Sequence, residues 1–165
     1  MFHLRALSDR PEEAIRIAAD HAPYLAKLQS LEVGLSNPDQ VITDAHAMCA
    51  AVSEQPDQVM SQLRQAKARA HLAIAANDLS GRADLSATTM AITEFADCAV
   101  QAALAAALRE RDLKVAGLFV IALGKMGAHE LNYSSDIDIA AFFDPDLFKG
   151  GAREPATAAA WTIQQ

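Results

Sequence analysis

Residues 115–143 read VAGLFVIALGKMGAHELNYSSDIDIAAFF. The run Val115 to Leu123 is apolar at nearly every position, the composition of a strand covered on both faces. It is about half the roughly 20 residues that a membrane-spanning helix needs. A glycine-containing turn follows, and then Asp136-Ile137-Asp138-Ile139, in which acids alternate with isoleucines before the segment becomes wholly apolar. Alternation of this kind predicts a second strand whose acidic end faces a cleft. Asp144-Pro145-Asp146 should end that strand, Lys149-Gly150-Gly151 reads as loop, and Glu154 to Gln165 reads as a helix with no stop signal. The chain is therefore expected to be a fragment, ending inside an α/β unit that spans 113–165.

Upstream, residues 1–112 have a different character. From Ser8 to Arg111 the apolar residues recur with helical period, and Pro and Asn mark the breaks. Ser8 and Asp9 ahead of Pro11, Glu12 and Glu13 supply a cap, a fixed φ and negative charge at a helix start. Pro23 should stop or kink that helix at Ala22, and Asn37-Pro38 repeats the start signal. Between Pro56 and Ala76, Val59, Leu63, Ala66, Ala70 and Ile74 form one stripe while Arg64, Lys67 and Arg69 lie off it, as in an amphipathic helix. Residues 77–81, NDLSG, form a turn, and a further long helix carries Ile92, Phe95, Ala99, Ala102 or Ala103, and Ala106 on one face. The expected fold class is α+β, a helical N-terminal region followed by the start of an α/β unit.

Bulk composition narrows the chemistry. The chain has 165 residues, 52% hydrophobic and 21% charged, enough for one real core. A formal charge of −7 lacks the basic footprint that nucleic acid requires. Cys49 and Cys98 are the two cysteines and have no CxxC spacing, so neither a disulfide framework nor a zinc site is indicated. MFHLRALSDRPEE turns acidic before any apolar stretch of signal-peptide length, and a cytoplasmic, membrane-free protein is expected.

Asp136 and Asp138 are the residues best suited to chemistry. Two positions apart on a strand, their carboxylates would share one face with Cα atoms roughly 6 to 7 Å apart. Two divalent metals held about 3.5 to 4 Å apart can grip the attacking and departing oxygens of a displacement at phosphorus, and Mg²⁺ prefers carboxylate oxygen. A bare Asp-x-Asp, however, more often marks a solvated strand end. Gly124-Lys125-Met126-Gly127 ahead of it could let phosphate approach the main chain, or could serve only as a strand exit. A P-loop needs GxxxxGK followed by Ser or Thr, and a dinucleotide fingerprint needs GxGxxG; both are absent. His129 reads as an exposed turn histidine sooner than as an acid or base. Glu130 and Asn132 are expected to fix the turn by hydrogen bonds.

The strand, the Gly-Lys turn and the following Asp-x-Asp together resemble the nucleotidyltransferase superfamily that includes DNA polymerase β and the aminoglycoside nucleotidyltransferases. Residues 124–139, GKMGAHELNYSSDIDI, are similar to the signature of glutamine synthetase adenylyltransferases, which reads close to GKLGGxELNxSSDIDL, with Ala128 in place of a frequent glycine. Residues 63–104 resemble the helical stretch that precedes this signature in that family.

The resemblance implies a polymerase β-like domain in which Asp136 and Asp138 hold Mg²⁺. Gly124, Lys125, Gly127, Ser134 and Ser135 would form the nucleotide-phosphate neighbourhood. It also implies a third carboxylate in a VDxRLRPxG-like segment, which this sequence does not contain. The family joins two such domains, one removing AMP from a tyrosine of glutamine synthetase by phosphorolysis and one attaching AMP from ATP. The wording ELNxSSDID is that of the removing half, so the implied partners are glutamine synthetase, ATP or ADP, phosphate and a PII signalling protein. Three alternatives stay open: the ATP-using adenylyltransferase half, a stand-alone small-molecule nucleotidyltransferase, and a docking fragment without turnover.

Overall fold

Proline sets where four helices begin. Pro11, Pro23, Pro38 and Pro56 are the first residues of α1 (Pro11–Ala19), α2 (Pro23–Gln29), α3 (Pro38–Ala50) and α4 (Pro56–Leu79). A proline at this position loses no helical hydrogen bond, and it holds the preceding residue out of the helical region. Arg10, Ala22 and Gln55 are accordingly extended. The computed structural model describes residues 6–31, 33–52, 55–110, 112 and 117–144, and the segment expected to be helical at 154–165 lies outside them. Arg10, fixed by Pro11, takes the cap position of α1, whereas Ser8 uses its Oγ to accept from the Arg10 N–H at 3.2 Å. Helix α1 stops at Ala19, ahead of Pro23, which opens α2. Asn37 caps α3 as expected, with its Oδ1 accepting from the Gln40 N–H.

The architecture of the described residues is mixed, helices plus a small sheet, consistent with α+β. Helix α5 (Leu85–Glu110) packs beside α4 and α3. It has the length and apolarity of a membrane span, but here Ile92, Phe95 and Val100 are buried with Ala45, Cys49, Ala66, Ala70 and Ile74 in one core. Across α4, Ile15 of α1 and Leu28 of α2 join Leu35, Leu72, Ala73 and Ala76 in a second cluster. Helix α4 is therefore amphipathic only in its first half. Arg64, Lys67 and Arg69 reach solvent, whereas every residue from 70 to 77 is buried, because neighbours cover both sides. Alanine makes this possible by letting helix backbones approach closely.

The two cysteines, distant in sequence, meet between α3 and α5 as free thiols. Burial, with a smaller contribution from Cys98, pushes the Cys49 thiol up to about 12.

Strand β1 (Leu118–Leu123) and strand β2 (Asp138–Phe143) pair antiparallel, with Leu118 opposite Phe143 and Leu123 opposite Asp138. Val120, Ala122 and Ile139 pack on the helical core. The other face carries Phe119, Ile121, Leu123 and Phe142, all exposed, with the Phe119 and Phe142 rings stacked at 5.3 Å. Double coverage of β1, expected from its apolar run, is thus not what the described residues provide. They supply helices to one face, and a two-stranded antiparallel sheet has no crossover helix to cover the other.

His71 sits where the two clusters meet. Its Nδ1 lies 2.8 Å from the Tyr24 hydroxyl, and the rings of Tyr24, Phe95 and Tyr133 stand edge-on around it at 5.8–6.5 Å. Burial first, and repulsion from Lys67 second, lower its pKa from 6.5 to about 4. Below 6.5 the unfolded chain takes up a proton that the native state refuses until about 4. The contribution of His71 is therefore intact above pH 6.5 and declines as pH falls towards 4, by roughly 3 kcal/mol at most. Urea unfolding across pH 7 to 5 should show this decline in the native chain, with a flatter slope in His71→Gln. Equal slopes would remove His71 as the cause.

Candidate functional site

The segment between the strands is anchored from below. Met126 and Leu131 are buried in the core formed by α3, α4 and α5, and Tyr133 packs against both helical clusters. Each fully buried side chain of the Met or Leu kind contributes about 1.5–3 kcal/mol. Thr93 of α5, itself fully buried, donates to the Thr89 carbonyl and accepts from the Leu131 N–H at 3.4 Å.

Above those anchors, α6 (Gly124–Gly127) is a single turn. It is closed by Ala128 N–H to the Gly124 carbonyl, His129 N–H to the Met126 carbonyl and Glu130 N–H to the Lys125 carbonyl, at 2.8–3.1 Å. His129 has φ 58, a left-handed conformation that ends the turn, and its side chain is exposed. Glu130 contributes its backbone and Asn132 its side chain to shaping the segment. Asn132 Oδ1 accepts from the Ser134 N–H and hydroxyl at 3.0 and 3.1 Å, while Ser135 Oγ accepts from the Asn132 N–H at 3.0 Å.

Both glycines of the turn have a physical reason. Gly124 has φ +53, and a Cβ there would stand 2.8 Å from Asp138 Oδ2. The pairing of Leu123 with Asp138 is what brings that carboxylate beside the turn. A Cβ on Gly127 would meet the Ala122 carbonyl oxygen at 2.6 Å.

The expected site residues fall as follows. Gly124, Lys125 and Gly127 form the exposed turn, and Asp138 opens β2 beside it. Asp136 lies two residues before β2 in irregular backbone, so the two acids do not share a strand. Among the described residues neither carboxylate has a hydrogen-bond or ion-pair partner, and both are exposed. Ser134 and Ser135 lie between, with their side chains engaged with Asn132. No group of three or more His, Cys, Asp or Glu side chains among the described residues is placed to hold a metal ion. Sequence reasoning overlooked Thr93 and Tyr133. The only available signal was a polar residue at a core position of α5 and an aromatic one in a polar loop.

Comparison with known proteins places this geometry in context. A family model for glutamate-ammonia ligase adenylyltransferase matches residues 3–164. The bifunctional glutamine synthetase adenylyltransferase/adenylyl-removing enzyme of Caulobacter vibrioides is 38% identical over 146 residues, 76% of this chain and 15% of the relative. Enzymes of the same name from Rhodopseudomonas palustris and Mesorhizobium japonicum are 36% and 39% identical, over 87% and 61% of this chain. The chain spans 17% and 12% of those two relatives. No solved structure matches it.

The two glycine contacts separate in a mutant cycle. Gly124→Ala should cost about 1–2 kcal/mol from its left-handed backbone alone, and part of the total should vanish in an Asp138→Ala background, where the carboxylate that the new methyl meets is gone. Gly127→Ala meets backbone, should cost about 1–3 kcal/mol, and should be indifferent to Asp138→Ala. Urea midpoints of the three single and two double variants decide it; equal coupling of both glycines to Asp138 would contradict the contacts described.

Proposed function

This chain belongs to the glutamate-ammonia ligase adenylyltransferase family, and we propose from that membership that residues 124–138 form part of a site that removes AMP from glutamine synthetase. The observation that carries the reading is the register of the sheet. It sets Asp138 beside Gly124, where the missing Cβ leaves room at the carboxylate. An unpartnered, exposed carboxylate at Asp138 beside the glycine turn, with the exposed Asp136 two residues before it, suits a hard divalent cation. Asp136 and Asp138 would hold Mg²⁺, with a further carboxylate coming from a segment of the family beyond the described residues. When bound, Mg²⁺ would neutralise charge on the reacting phosphate oxygens.

The residues of this chain have separate tasks in that reaction. Inorganic phosphate attacks the adenylyl phosphorus, the bond from phosphorus to the tyrosine oxygen breaks, and a proton returns to that oxygen, giving ADP and unmodified tyrosine. The N–H groups at the start of α6 lack helical partners and would orient phosphate oxygens, aided by the exposed Lys125 ammonium. Ser135 Oγ, which accepts from Asn132, keeps its own proton to donate to phosphate. Ser134 spends its hydroxyl on Asn132 and acts by shaping the loop. Burial of Met126 and Leu131 holds the turn and the start of the following loop in place, which matters because small misplacements are expensive in rate.

In the full-length protein, Asp138→Asn should lower phosphate-dependent ADP release from labelled adenylyl-glutamine synthetase by about a hundredfold or more. Its melting temperature should stay within a degree or two, since an exposed, unpartnered carboxylate is being neutralised. Undiminished ADP release would sink the role of Asp138. Transfer of AMP from ATP at the Asp138 site, with no phosphate-dependent ADP release, would assign the site to the attaching reaction.

A further inference from the structure

A cavity of about 210 Å³ lies between α4 and α5 and is closed on one side by residues 131–137. Its walls are mainly apolar, with Phe95, Val100 and Ile137 among them, and its charged lining residues are Arg64 and Lys67. No Asp or Glu is among the described residues that line it. Tyr133 contributes to the same wall, while its hydroxyl is buried out of reach of solvent. Neither Arg64 nor Lys67 forms an ion pair among the described residues.

The cavity touches the candidate site without being part of its open face. Ile137, between the two acids, lines it, as do Asn132 and Ser135 of the hydrogen-bonded loop. Asp136 and Asp138 do not line it. At roughly 30 Å³ per water it has room for about seven waters, or for a small organic molecule of benzoate size. Apolar walls with a few placed polar groups and one sign of charge at the rim are what an amphipathic anion requires.

We propose that this cavity binds a small organic anion, an apolar body with a carboxylate directed at Arg64 and Lys67, and that its occupancy orders the 131–137 loop from behind. The loop would then present Asp136, which it carries, in fewer arrangements relative to Asp138 of β2. Binding that favours one arrangement of a loop shifts its population by the differential affinity of the ligand for that arrangement.

The test uses benzoate, benzamide and benzylamine as probes on the full-length protein, followed by saturation-transfer NMR and calorimetry. Saturable binding of benzoate is expected, with benzamide and benzylamine weaker by about tenfold, the difference a charge-assisted contact makes. Arg64→Glu/Lys67→Glu should remove that preference, Ala99→Phe should fill the cavity and abolish binding of all three, and Arg69→Glu, an exposed cation outside the lining, should change nothing. Hydrogen exchange of peptides covering 131–137 should slow with benzoate and not with benzylamine. Equal binding of the three probes, survival of the preference after charge reversal, absence of saturable binding, or unchanged exchange at 131–137 would each overturn the proposal.

Discussion

Burial of Met126 and Leu131 beneath a polar, solvent-facing loop is the constraint on which the candidate site depends. The two side chains are driven out of water into a core whose walls belong to α3, α4 and α5, and the backbone between them has little freedom once both are fixed. Everything chemically interesting in the segment is short and polar, with no packing of its own. The turn at Gly124 to Gly127, the Asn132 network and the approach to Asp136 inherit their positions from these anchors and from the Thr93 hydroxyl. The helices, which carry none of the expected site residues, thus act as the site's foundation. One hydrophobic cluster runs from Ala45 in α3 to Leu131 in the loop and gathers Val120, Ala122 and Ile139 of the sheet around it.

Glycine acts here through what it leaves out. At Gly127 the absent methyl group lets the turn fold back on the Ala122 carbonyl; at Gly124 it leaves the space that the Asp138 carboxylate occupies. The first is a contact with backbone and the second a contact with a side chain of the candidate site, although the two positions look alike in sequence. Their difference comes from strand register, since only the pairing of Leu123 with Asp138 brings the second strand's first residue over the turn.

Much of this was legible from residue order. The helix starts at Pro11, Pro38 and Pro56, the Asn37 signal and the two strands either side of the glycine turn follow from local rules, whereas α4 runs on through Asn77 and Asp78 to Leu79 and leaves only Ser80 and Gly81 of the expected five-residue turn. What local rules could not supply was coverage. The periodicity of α4 shows a polar stripe through Arg64, Lys67 and Arg69, and nothing in it reveals that α1 and α2 close over residues 70–77. His71 is therefore illegible as a core residue, because its burial and its depressed pKa arise from Tyr24, Phe95 and Tyr133, which are contributed by three other parts of the chain. The position of Asp136 is a similar case. Alternation with isoleucine implies a strand, but the loop's own hydrogen bonds, from Asn132 to Ser134 and Ser135, occupy the residues just before it, and pairing begins only at Asp138.

The apolar run of β1 poses the remaining question of physics, since half of it is not covered by the described residues. Phe119, Ile121, Leu123 and Phe142 share their face with Asp138, which stands at one end while the stacked phenylalanines stand at the other. A carboxylate without a partner must keep access to solvent, because an ion buried without partners loses several kcal/mol. Apolar side chains gain only by losing that access. Both demands can be met on one face if coverage is graded along the strands, complete over Phe119 and Phe142 and open over Asp138. The acid's place at the terminal pair of the ladder, next to Gly124 and away from the aromatic pair, is what makes such a gradient geometrically available.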